Sequence, residues 1–141
     1  MEYRRFGNKY VIRMDKGEEI VKTLEEFCKK EEVELGWVKG IGAVNKATIG
    51  LFHIDTKEYH STELRGDFEI TSLLGNISTM EGEVYLHLHI NLSDSQYKTY
   101  GGHLSSAVIS ATGELIVEVI QGSVDRSFNE EIGLNLYKFN S

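Results

Sequence analysis

Three of the five histidines in this 141-residue chain fall within one short stretch, at His87, His89 and His103. From Glu83 to Leu92 the apolar residues Val84, Leu86, Leu88, Ile90 and Leu92 alternate with Tyr85, His87, His89 and Asn91. That is the period of a half-buried β-strand, and it sends both histidines out on the same face. Two residues of strand separate their backbones by roughly 6.6 Å, close enough for the rings to tilt toward one ion at metal–nitrogen distances of ~2.0–2.1 Å. His103 stands beyond a polar loop (Ser93 to Tyr100) and behind Gly101-Gly102, glycines that permit tight or left-handed turns. It supplies the third ligand if the chain after the loop folds back beside the first strand. Three neutral imidazoles suit zinc, although nickel, copper and iron also accept such ligands. They leave a fourth position for water, whose pKa on zinc can fall to ~7. The competing reading is three ordinary surface histidines on the polar face of a strand.

The elements that must position these residues are mostly strands. Asp15 and Glu18 have the spacing of a capping box, so a helix is predicted from there to about Glu32. Its stripe Ile20, Val21, Leu24, Phe27 and Cys28 is apolar, with Lys22, Glu25, Glu26 and Lys29 on the other side. Beyond Val33 only strand-like runs occur. Strands are predicted at Lys9–Met14, Trp37–Lys39, Ala43–Ile54, Tyr59–Leu64, Asp67–Ser78, Glu83–Leu92, Ser105–Ile120 and Gly133–Phe139. Their connections are mostly too short for parallel crossovers. The expected fold is α+β, a curved, mainly antiparallel sheet packed against one main helix, and residues 1–141 form a single domain large enough to support its own core.

Composition narrows the function. Acidic residues outnumber basic ones by 22 to 15, a formal charge of −7 that repels polyphosphate unless the basic residues gather on one face. They do not gather: Arg4-Arg5 and Lys29-Lys30 are short pairs, the second followed by Glu31-Glu32. A single cysteine, Cys28, excludes an internal disulfide and thiolate zinc fingers, and its place on the helix stripe assigns it to packing. No apolar run resembles a signal peptide or membrane span, so a cytoplasmic, membrane-free protein is expected. Gly40-Ile41-Gly42 lacks the third glycine and the following helix of a dinucleotide fingerprint. Arg65-Gly66-Asp67 is an accidental tripeptide, and His53 and His60 lack ligand spacing.

Four segments in order, Gly40-Ile41-Gly42-Ala43, Gly66 to Asn76, His87-Leu88-His89 and Gly101-Gly102-His103-Leu104, resemble the PPC family, the plants-and-prokaryotes conserved domain. The resemblance covers nearly the whole chain and implies a stand-alone, homotrimeric domain of the prokaryotic type. In plants this domain follows AT-hooks that bind A·T-rich DNA. A chain without proline or a basic extension holds no such hook, which disfavours nucleic acid as a partner. The plant members carry Gly-Arg-Phe-Glu-Ile-Leu in a partner-binding segment where this chain has Gly66-Asp67-Phe68-Glu69-Ile70-Thr71, and reversing a charge at a recognition position changes partner choice. Gly66, Phe68 and Glu69 are therefore candidates for contact with a different protein or small-molecule partner, or for support behind the metal ligands. His87, His89 and His103 match the histidine pattern of prokaryotic relatives. The resulting expectation is a homotrimeric module that binds zinc through these three histidines and acts in interaction or regulation. The alternative is a zinc-dependent enzyme using a metal-bound water with Glu69 as general base, which requires the Glu69 strand to lie beside the histidines.

Overall fold

The strand-forming runs extend further than their local signals suggest, because paired neighbours carry them through glycines that would otherwise mark breaks. The computed structural model describes residues 1–139. Its elements in order are β1 (Glu2–Phe6), β2 (Lys9–Asp15), α1 (Ile20–Lys30), β3 (Gly36–His53), β4 (Glu58–Met80), β5 (Glu83–Ser93), β6 (Thr99–Val119), β7 (Asp125–Asn129) and β8 (Leu134–Lys138). This is a mainly antiparallel sheet with one helix among the described residues, an α+β arrangement.

Four ladders form a closed circuit: β3 pairs with β4, β4 with β5, β5 with β6, and β6 with β3, all antiparallel. The later part of β6 also pairs with β2, and β2 with β1. Residues 125–138 add a hairpin of β7 and β8, joined to β4 by a parallel bridge between Thr79 and Asp125. Buried residues form one cluster that includes Val38, Val44, Ile77, Leu88, Leu92 and Ile109 from the circuit, Ile12 and Met14 from β2, and Leu24, Phe27 and Cys28 from α1. Burial pushes the Cys28 thiol up to about 12, so this cysteine packs and does not react.

The structure corrects several boundaries. The two strands expected on either side of Gly40–Gly42 are one strand, β3, with register shifts where Gly42 adopts φ +151°. A Cβ at Gly42 would lie 2.3 Å from the Thr112 carbonyl oxygen, so glycine is required by the neighbouring backbone and not by a chain reversal. The runs at Tyr59–Leu64 and Asp67–Ser78 likewise merge into β4. The two-residue turn Gly7-Asn8 joins an unpredicted β1 to β2. Asp15 ends β2 and does not cap the helix. Glu18 still accepts the Asp15 N–H, but the cap is Glu19, whose carboxylate takes the N–H groups of Val21, Lys22 and Ala107. The Ala107 bond ties the helix start to β6, a reason that no local pattern contains. At the other end Glu31 closes the helix, and Glu32 at φ +54° turns the chain out of it.

Candidate metal centre

The β5 alternation holds in three dimensions: Leu88, Ile90 and Leu92 are buried, and His87 and His89 leave by the opposite face. Their Nε2 atoms lie 3.2 Å apart. His103 reaches them because β6 runs antiparallel beside β5 with His103 directly opposite His89. Gly101 and Gly102 belong to β6 as extended strand and make no turn, correcting the sequence expectation. Their lack of a side chain serves close approach. A Cβ at Gly102 would meet the Gly50 carbonyl oxygen at 2.7 Å, and one at Gly101 the Asn91 Oδ1 at 3.0 Å.

One ring nitrogen from each histidine lies within 4.8 Å of the other two. Two nitrogens bound tetrahedrally to one zinc at ~2.0–2.1 Å stand about 3.3 Å apart. The His87–His89 pair already has this separation, and a His103 nitrogen lies within 4.8 Å of both. Burial, followed by the neighbouring His89 and His103 and the Arg126 charge, lowers the His87 pKa to about 4, and burial lowers that of His103. Both rings are therefore neutral at physiological pH, the form that ligates metal. The donor set and its geometry fit a transition-metal ion.

The surroundings contain residues that sequence reasoning missed. Asn76 pairs with His87 across the β4–β5 ladder. Its Oδ1 accepts a hydrogen bond from Arg126 Nη2 at 2.9 Å. Arg126, only 6% exposed, also donates to Ser78 Oγ and to the Asn135 carbonyl. Its guanidinium lies 4.7 Å from the Tyr85 ring centroid and 4.2 Å from that of Tyr137. Arg126 carries no local signal in the sequence, since a fold-back hairpin brings it to this face.

The other candidates lie elsewhere. Glu69 pairs with Ser93, four residues along β5 from His89, on the order of 13 Å away. The structure does not bring it to the histidines. Gly66 and Phe68 line a cleft of about 440 Å³ with Arg65, Asp94 and Tyr100. His53 and His60 pack edge to face at the exposed β3–β4 hairpin, with ring centroids 4.8 Å apart, apart from the three-histidine cluster.

A closed antiparallel circuit with one helix and three outward, converging imidazoles defines a small β-rich domain equipped to hold a transition metal. The family model of the Plants and Prokaryotes Conserved (PCC) domain matches residues 1–121, and the chain belongs to that family, the one abbreviated PPC above. Three solved structures are similar. A candidate DNA-binding protein from Bacteroides thetaiotaomicron is 41% identical with a TM-score of 0.96, covering 98% of this chain and 96% of that one. A metal-containing protein from Archaeoglobus fulgidus is 33% identical with a TM-score of 0.86, covering 98% and 97%. A plant- and prokaryote-conserved protein from Pyrococcus horikoshii is 31% identical with a TM-score of 0.86, covering 99% and 95%. The bifunctional protein GlmU of Synechococcus sp. (strain JA-3-3Ab) is 30% identical over 110 residues, 77% of this chain, and the chain spans only 16% of that relative's length. No helix among the described residues is long and apolar enough to cross a membrane.

Proposed function

We propose that His87, His89 and His103 bind a divalent transition metal, zinc foremost, and that the domain works as a homotrimeric interaction or regulatory module. The observation that carries this reading is the convergence of three imidazole nitrogens within 4.8 Å on one sheet face. The similar Archaeoglobus fulgidus protein, described as metal-containing, supports it. A 141-residue chain with one continuous core does not need the ion to fold, so the metal tunes a site on a preformed scaffold. The exposed Trp37, Ile41 and Leu74 offer apolar surface for subunit contacts, and the lone buried thiol suits a cytoplasmic setting.

The DNA-binding description of the Bacteroides relative does not transfer well on physical grounds. The charge of −7 opposes a phosphate backbone, and these 141 residues contain no proline for an AT-hook core. The enzyme reading loses its proposed base, because Glu69 lies along the strand from the histidines. Elemental analysis of protein purified without a polyhistidine tag tests the proposal. One equivalent of zinc or another transition metal per chain is expected, and a metal-free protein that cannot be reloaded with zinc refutes it.

A further inference from the structure

Arg126 is a buried cation whose three hydrogen-bond partners, Ser78 Oγ, the Asn135 carbonyl and Asn76 Oδ1, include no carboxylate. A charge held this way is costly unless something else offsets it. The faces of Tyr85 and Tyr137 supply part of the offset as cation–π contacts. The geometry also fixes the Asn76 amide. A guanidinium only donates, so the atom that meets it is the amide oxygen. The Asn76 nitrogen is thereby turned away from Arg126, and no protein acceptor takes its hydrogens among the described residues. Asn76 stands opposite His87 on the ladder, and directly opposed side chains share a face. An oriented, unspent N–H donor thus flanks the histidine cluster, with a fixed positive charge behind it.

We infer that Asn76, positioned by Arg126, is the donor for an oxygen of a small carboxylate held at the three-histidine cluster. The inference rests on the metal reading above and extends it to a ligand class. A monocarboxylate fits better than a polyanion. One amide donor and one screened cation suit a single negative charge, and the net charge of −7 disfavours multiply charged ligands. Arg126 lies on β7, outside the residues 1–121 that the family model matches. The hairpin at 125–138 thus adds to the site a cation from beyond the matched residues.

The test uses the full chain loaded with cobalt(II), whose visible spectrum reports both metal stoichiometry and anion binding. Acetate and inorganic phosphate are the probes. Wild type should bind one cobalt and show saturable spectral change with acetate at a lower dissociation constant than with phosphate. Asn76→Ala should retain cobalt and weaken acetate at least about tenfold, the loss expected for a hydrogen bond to a charged group. Arg126→Lys keeps the charge but not the fork, and should weaken acetate similarly, with thermal melts checking that it folds. Should that variant not fold, Asn76→Ala alone decides. Cobalt bound normally with unchanged acetate affinity in Asn76→Ala overturns this inference and leaves the metal site standing. Phosphate binding tighter than acetate overturns the carboxylate assignment, and a wild type that takes no cobalt removes the metal reading and this one together.

Discussion

Replacing Gly102 with alanine separates close packing from turn formation as the reason for the glycine pair. A Cβ at this position would stand 2.7 Å from the Gly50 carbonyl oxygen, a backbone atom of β3. Ordinary carbon–oxygen contacts fall at ~3.3–3.6 Å, so the two strands must part by about 0.6–0.9 Å. His103 is the next residue and pairs with Gly50 on that ladder, so its ring moves by a comparable amount. Metal–ligand distances tolerate only ~0.2 Å. Over-packing of this kind costs about 1–3 kcal/mol, which at roughly 4 °C per kcal/mol lowers the melting temperature by about 4–12 °C. Zinc affinity should fall by about 10–100-fold, the range seen when support around a ligand is disturbed. Gly101→Ala meets the Asn91 Oδ1 at 3.0 Å and the Ile90 carbonyl at 3.1 Å, which asks only a few tenths of an ångström of relaxation. Its effects should be distinctly smaller. Differential scanning calorimetry of both apo variants, with zinc titrations against a chromogenic chelator, reads both quantities. A Gly102→Ala protein with wild-type melting temperature and zinc affinity within twofold would refute the close-approach reasoning.

Alanine at His87, His89 or His103 should each reduce zinc affinity by more than the ~10–100-fold typical of losing an outer partner, while circular dichroism shows the fold retained; zinc bound at full strength by His103→Ala would exclude that residue. The apo protein should lose stability as pH falls from 6.5 toward 4. The folded His87 pKa of about 4 lies below the ordinary 6.5, so between those values the unfolded chain binds more protons. For a half-exposed ring the discounted contribution is about 1–2 kcal/mol, to be read from urea melts at pH 7 and 4.5, and His87→Ala should flatten the difference. Titration of fluorescent A·T-rich duplex at physiological salt should give no sub-micromolar, sequence-dependent binding, in line with the −7 charge. Multi-angle light scattering at micromolar concentration should report a trimer, and a monomer there would end that proposal.

The sequence alone determined the features whose causes are local. Alternation placed His87 and His89 on one face because side chains along a strand change sides at every residue. The helix stripe was legible for the same kind of reason: Ile20, Leu24, Phe27 and Cys28 are all buried. The charge count likewise spoke against polyanions without any coordinates. Tertiary structure alone decided what depends on residues far apart in the chain. His103 faces His89 through the β5–β6 register, which no local spacing specifies. Gly101-Gly102 reads as a turn in isolation and is a strand because β3 and β5 approach it from both sides. The helix begins at Glu19 because its carboxylate also satisfies Ala107, 88 residues away. Arg126 reaches Asn76 across 50 residues, and Glu69 is kept from the histidines by the register of the β4–β5 ladder. Each of these is a pairing between distant segments, settled by which backbone groups and apolar faces can be satisfied together, and that choice is made by the whole fold.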